Sequence, residues 1–186
     1  MKNQFENQEK KIKISSATLD DVRGMQEVFY KTWLATYPNE EAGITIDDIE
    51  DRYKDAFSDE ALNKRAERIV NPPEGETLFF AKDGDRVVGL CRIVKSDQFN
   101  RLQAIYVLPE YQGKGIGRML WDEARKVFDI DKDIVVDVAT YNKNAIDFYK
   151  KLGFEETGKR WEDEKFKMKS GAKIPEMELI IKHDSR

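Results

Sequence analysis

The sequence predicts a single α/β domain, with strands and helices alternating through its second half. Three observations carry this. The apolar run 102–108 ends at Pro109, which cannot continue a ladder, and is followed by three glycines at alternate positions. Helical spacing then begins at Ile116, Met119, Leu120 and Ala124. The run 134–139 is again β-rich and leads into a helical face of Ala145, Phe148, Tyr149 and Leu152, closed by Gly153 as a left-handed cap. Between two further β-rich runs stands Asp83-Gly84, a strong hairpin signal.

Turn signals order the rest. Residues 12–16 form a short first strand. Thr18 with Asp21 resembles a capping arrangement, and Val22, Met25, Phe29, Trp33 and Leu34 form a helical stripe down to Pro38. Thr45 or Asp47 caps a second helix through Tyr53 and Phe57, and Asp59 caps a third through Ile69. Residues 71–75 are a loop. Strands are expected over 77–82, 86–94, 102–108, 134–139, 154–160 and 175–182, with helices after the glycine turn and after Asn144, the expected cap. A polar, lysine-rich excursion, 162–173, separates the last two strands. Residues 1–11 are polar, lack the apolar core of a signal peptide and read as a loose tail; 12–186 read as one domain without repeats.

Composition narrows the classes of function. At 186 residues the chain is long enough for one domain with a proper core. A net charge of −4 argues against nucleic acid as the main partner. The single cysteine, Cys91, excludes an internal disulfide and suits a reducing cytosol, so a cytoplasmic protein is expected. Within its strand the thiol reads as buried and inert. The one histidine, His183, lies near the C-terminus, so neither a Ser-His-Asp or Cys-His mechanism nor a histidine-rich metal site is expected. No apolar run approaches membrane-spanning length.

The segment from Tyr106 to Leu120 carries the most function. Glycines at 113, 115 and 117 let the backbone turn sharply and approach a ligand. The helix that follows points unpaired N–H groups and its positive dipole end back at the strand, an arrangement suited to phosphate. A nucleotide P-loop would need G-x-x-x-x-G-K-[ST], which does not occur. A dinucleotide fingerprint fits Gly113 and Gly115, and Asp137 stands where a ribose-binding acid would stand, but Arg118 occupies the third glycine's place.

What fits is Q-x-x-G-x-G, read at Gln112, Gly115 and Gly117. It resembles the pyrophosphate motif of the GCN5-related N-acetyltransferases, the GNAT family. The segment from Asn142 to Phe154 is similar to that family's N-x-x-A-x-x-F-Y-x-K-x-G-F element. The resemblance covers nearly the whole chain, and it implies the order β-α-α-β-β-β-α-β-α-β-β. It further implies a mixed, mostly antiparallel sheet of six to seven strands flanked by helices, with the fourth and fifth strands parallel and splayed.

The resemblance also implies roles. Acetyl-CoA would be the co-substrate and no metal would be needed. Gln112, Gly113, Lys114, Gly115, Ile116, Gly117 and Arg118 would hold the pyrophosphate, Lys114 being equally readable as a solvated turn lysine. Main-chain groups of Ile105, Tyr106 and Val107 would pair with the pantetheine arm as an added strand does. Asn142 or Asn144 would support the cofactor, and Tyr149 would be the acid that protonates the departing sulfur. Some relatives carry a glutamate base where this chain has Gln103, an amide; Tyr106 and Asp137 lie near, and solvent is the other option. Relatives often pair through late strands, so a homodimer is an expectation.

For the acceptor, Trp33, Tyr37 and Tyr106 are the candidate contacts. Thr32 to Pro38 (T-W-x-x-T-Y-P) and the acids Glu40, Glu41, Asp47, Asp48, Glu50 and Asp51 resemble the polyamine-acetylating branch, and carboxylates beside aromatics suit a polyamine. Trp33 also lies on an apolar stripe, where a core role is equally natural. Protein N-termini and antibiotic amines remain as acceptors. A non-catalytic acyl-CoA-binding or sensing module on the same fold is the alternative function, in keeping with the missing glutamate.

Overall fold

The computed structural model describes residues 12–185. Strand β1 (Lys13–Ser16) leads into α1 (Val22–Thr36), α2 (Ile46–Tyr53) and α3 (Asp59–Val70). The hairpin β2 (Glu76–Asp83) and β3 (Arg86–Lys95) precedes β4 (Asn100–Val107), α4 (Ile116–Val127), β5 (Ile134–Ala139), α5 (Lys143–Lys151), β6 (Glu155–Glu162) and β7 (Pro175–Ile181). All seven strands form one sheet, in the order β1-β2-β3-β4-β5-β7-β6, and only the β4–β5 pair is parallel. The mixed, mostly antiparallel α/β fold is thus as the sequence predicts, with three helices in front of the hairpin instead of the two that the family order implies.

Local chemistry sets the boundaries. Thr18 and Asp21 do form a capping box, but it closes a 3₁₀ turn at 19–21 from which α1 continues. Thr45, not Asp47, caps α2, with Asp48 completing the box, and the helix stops at Tyr53 rather than Phe57. Ser58 caps α3 in place of Asp59, because its hydroxyl reaches the Ala61 N–H at 3.3 Å. Asp59 becomes the first helical residue, where its charge suits the dipole. Asn142, not Asn144, caps α5 by accepting from the Ala145 N–H at 3.1 Å. Gly153 ends that helix with φ +98°, as expected. The expected tail, 1–11, lies outside the described residues.

Alternation in the strands sorts the two faces of the sheet. Leu120 of α4 packs against β3 at Gly89, on a core of Cys91, Ile93, Leu102, Val136, Val138, Leu179 and Trp121. Toward the other face, a second cluster joins Trp33 of α1, Ile49 of α2, Ala139 of β5, Met168 and Ile174. Among the described residues no helix is long and apolar enough to cross a membrane.

Asp48 ties this second cluster together. Its carboxylate closes the α2 cap and also accepts from the Ser170 N–H (2.8 Å) and hydroxyl (3.0 Å), pinning the excursion before β7 to α2. Burial works to raise its pKa, but the Thr45 and Ser170 donors outweigh it and hold the carboxyl at about 2. The stabilisation is therefore full above the unfolded value of about 4 and is lost as pH falls towards 2. Asp48→Ala should cost about 1–3 kcal/mol near neutral pH, read as a lower urea midpoint, with the gap to wild type closing in acid.

Candidate active site

The phosphate turn is built from backbone geometry. Pro109 opens a 3₁₀ turn that redirects the chain after β4, and the Tyr111 and Gln112 N–H groups are consumed there on Leu108 and Pro109 carbonyls. Among the described residues the N–H groups from Gly113 to Arg118 take no main-chain partner, the ladder of α4 starting only with Met119 on Gly115. Gly113 and Gly115 have φ of +73° and +80°, and a Cβ built on either would meet nothing within 4 Å. The glycines therefore supply a left-handed path whose outer side is open space, and the row of free donors lies at the helix's positive end. That cradle fits a pyrophosphate.

Beside it the sheet parts. β4 and β5 pair only at Asn100↔Ile134 and Arg101↔Val135, after which the β5-facing edge of β4 has no partner strand. Gln103 has no opposite residue on β3, where the register shifts between Arg92 and Ile93, so a bulge bends β4 away at this point. The Gln112 amide donates to the Val107 carbonyl at 3.0 Å and fixes the far end of the edge to the turn. The open edge of Ile105, Tyr106 and Val107 can pair with a linear amide-bearing arm.

A continuous cleft of about 770 Å³ runs from the turn through the splay to the end of α1. Tyr149 lines it from α5. Only 6% exposed, this residue packs edge-on against Phe148 and Phe154, and its hydroxyl makes no hydrogen bond among the described residues. Burial, with Tyr106 and Cys91 adding to it, pushes the phenol well up, so it stays protonated at any working pH. At the opposite end the Tyr37 and Tyr106 hydroxyls meet at 3.3 Å, and Tyr141 donates to the Tyr37 carbonyl at 3.0 Å. Burial raises the pKa of all three phenols, Tyr141 to about 12.

The structure gathers most of the residues expected here. Ile105, Tyr106, Val107, Gln112, Gly113, Gly115, Ile116, Gly117, Arg118, Asn142, Asn144, Tyr149 and Tyr37 all line the one cleft. Others sit apart. Trp33 is core, wedged among Tyr37, Tyr53 and Phe166, with the Arg52 guanidinium 4.9 Å above its ring. The Lys114 ammonium stacks over Tyr111 at 4.7 Å, while Arg118, which does line the cleft, pairs its guanidinium with Asp122 at 2.9 Å. None of the acids of 40–51 lines the cleft; Asp48 is a cap and Asp51 pairs with Lys54 and Lys169. Cys91 is buried, and burial pushes its thiol up, as its strand position suggests.

The acid in the cleft comes instead from β5, as Asp137, already a candidate in the sequence; the glutamates of β7 beside it were not singled out there. Asp137 of β5 lines the cleft and pairs with Arg101, and Glu178 of β7 lies directly opposite it and pairs with Lys159 at 2.9 Å. Glu176, two residues earlier, shares that face of the sheet. The signal was present: Pro-Glu-Met-Glu-Leu alternates carboxylates with core residues. Burial raises the carboxyl pKa of Asp137, against the pull of Arg101.

The profile described as the acetyltransferase (GNAT) domain matches residues 33–170 of the chain. The chain belongs to the GNAT acetyltransferases. It is similar to the peptidyl-lysine N-acetyltransferase YjaB of Salmonella typhimurium, with 29% identity over 105 residues, 55% of this chain and 68% of that protein. Its fold matches the PaiA N-acetyltransferase from Thermoplasma acidophilum in complex with coenzyme A. The TM-score there is 0.68 at 23% identity, over 90% of this chain and 98% of that one. It also matches a spermidine N-acetyltransferase SpeG chimera from Vibrio cholerae and hSSAT, with TM-score 0.58 at 20% identity, over 93% and 96% of the two chains. As a GNAT acetyltransferase the enzyme uses acetyl-CoA as co-substrate, and the open turn and open edge fit that ligand. Among the described residues no group of three or more His, Cys, Asp or Glu could hold a metal ion.

A Cβ at Gly117, one turn-residue into α4, would approach the Phe148 ring at 3.3 Å. Gly117→Val should therefore disturb both the cradle and the wall of the cleft. We expect acetyl-CoA binding to weaken at least ~10-fold by calorimetry, about 1.4 kcal/mol; unchanged affinity would remove this turn from the binding site.

Proposed function

We propose that this GNAT enzyme carries the acetyl group of acetyl-CoA directly to a primary alkylamine, with a polyamine as its acceptor. The observation that carries the reading is the end of the cleft that Tyr37, Tyr106 and Tyr141 line together with Asp137, with Glu176 of β7 opposite the cleft-lining Ala139. Aromatic walls above carboxylates favour an ammonium group and a further positive charge along the same molecule. Direct attack is supported by Cys91, the one thiol, being buried with its pKa raised, which leaves no activated nucleophile to carry the acetyl group. In this reading the Gly113–Arg118 donors hold the pyrophosphate, β4 holds the pantetheine arm and Tyr149 protonates the leaving sulfur.

A second reading is a lysine side chain of a peptide, which offers the same terminal ammonium. The relative at 29% identity is named a peptidyl-lysine N-acetyltransferase. Release of free thiol from acetyl-CoA distinguishes the two when measured with spermidine, spermine, lysine-containing peptides, N-terminal peptides and an aminoglycoside. Spermidine and spermine should give the highest kcat/KM. A peptide acting best would move the assignment to protein lysine, and thiol release with none of these amines would leave acetyl-CoA binding without this transfer. Tyr149→Phe should lower kcat by ~10²-fold or more with little change in acetyl-CoA affinity; unaltered kcat would take Tyr149 out of the reaction.

A further inference from the structure

An alkylamine acceptor needs a base. With a pKa like that of lysine, on the order of one molecule in 10³ is neutral at pH 7. Gln103, on the bulge of β4, is an amide and cannot take the proton. The other carboxylates around Glu176, of which Asp137 lines the cleft, are engaged: Asp137 with Arg101, Glu178 with Lys159, and Asp163 on the Lys165 N–H at 2.8 Å. Glu176 differs from them, since among the described residues it has neither an ion-pair partner nor a main-chain donor. It stands at the start of β7, opposite Ala139 on one side and Trp161 on the other, and the Thr140 N–H donates to the neighbouring Pro175 carbonyl at 2.8 Å. Ala139 and Tyr141, on either side of that Thr140 tie, both line the cleft. The charge of Glu176 acts on Tyr37 at the end of α1, on Tyr106 of β4 and on Tyr141.

We propose that Glu176 is the general base for the acceptor, serving from β7 the role that Gln103 cannot serve from β4. This rests on the amine-acceptor reading above. Glu176 takes one proton from the acceptor ammonium, directly or through one bridging water, and the freed lone pair attacks the thioester carbonyl carbon. As the C–N bond forms and the C–S bond breaks, nitrogen loses a second proton and sulfur gains one from Tyr149. The second nitrogen proton restores the phenol, and Glu176 gives its proton to solvent, so one proton is released per amide formed.

The groups facing Glu176 set its acidity. Burial is the largest influence and raises the carboxyl from 4.5 to about 7, with Asp137 and Asp163 adding to it and the Trp161 indole and Arg101 opposing. A base with that pKa is half-ionised at neutral pH, so kcat/KM should rise as pH passes through about 7.

The test compares wild type with Glu176→Gln on two acceptors, the best alkylamine of the panel and methoxyamine, which is already neutral at pH 7. For the alkylamine, the substitution should lower kcat/KM ~10²-fold at pH 7 and remove the bend near pH 7, leaving a rise that runs on towards the amine's own pKa. For methoxyamine the rate should stay within about threefold of wild type, and acetyl-CoA affinity should not change, since no base is needed there. A merely structural role would depress both acceptors together, and that result would overturn the proposal. So would a bend near pH 7 that survives in Glu176→Gln, or one that disappears in Asp137→Asn instead. Wild type that binds acetyl-CoA but acetylates no amine would instead mark a failure of the acceptor reading, and the base would fall with it. Folding is checked by thermal melts: the folded state binds this proton more tightly, so stability falls as pH rises from 4.5 to about 7. Above that range Glu176→Gln should melt no lower than wild type.

Discussion

The structure depends on one break in its sheet. β4 and β5 stay together for two residues and then part, leaving a row of backbone donors and acceptors that a finished sheet would satisfy. Such an edge invites pairing, and here it is held open from both ends. At the closed end, the Asn100 N–H donates to the Asp133 carbonyl, and its side-chain amide reaches the Asp129 and Lys132 carbonyls at 2.9 and 3.3 Å. The Arg101–Asp137 pair bridges the strands where they separate. At the open end Gln112 ties Val107 back to the phosphate turn. The edge is thus fixed before any ligand arrives, so binding pays little to order it.

The same break divides the electrostatics. On the turn side lie backbone donors at a helix start, a field suited to anions. On the acceptor side lie buried phenols and carboxylates whose pKa values are all raised, because burial disfavours their charged forms. A cation entering there relieves that penalty, whereas an anion would add to it. The polarity of the cleft from end to end follows from where α4 begins and where β5 and β7 place their acids.

Motifs that act through the backbone were legible in the sequence. Gly113 and Gly115 announced a turn with a left-handed path, and the β-rich run from Ile134 to Ala139 announced a strand, because both depend on near neighbours. Helix starts were readable only to within a residue or two. Ser58 and Asp59, or Asn142 and Asn144, are all competent caps, and the choice between them depends on which side chain meets the N3 donor. Long-range placement was not legible at all. The acids of 40–51 looked like an acceptor surface because they adjoin aromatic residues in sequence. In three dimensions Asp48 is spent on a cap and on Ser170, and the acid that lines the cleft, Asp137, stands on a strand far along the chain. Trp33 was ambiguous for the same reason: an apolar stripe does not say which of its members borders a ligand.

Placing the base on β7 has a consequence for how acid and base coexist. Tyr149 approaches the cleft from α5, packed on the Phe148 and Phe154 side, while Glu176 shares the opposite sheet face with Asp137. Among the described residues no hydrogen bond joins the phenol and the carboxylate. Each is then tuned by its own surroundings: the phenol, enclosed by aromatic rings, stays protonated, while the carboxyl, raised but only half-buried, can release its proton near neutrality. Two groups with pKa values pushed apart by environment are what a transfer needs when it must remove a proton from nitrogen and deliver one to sulfur. A glutamate at position 103 would have served the same end from the β4 side.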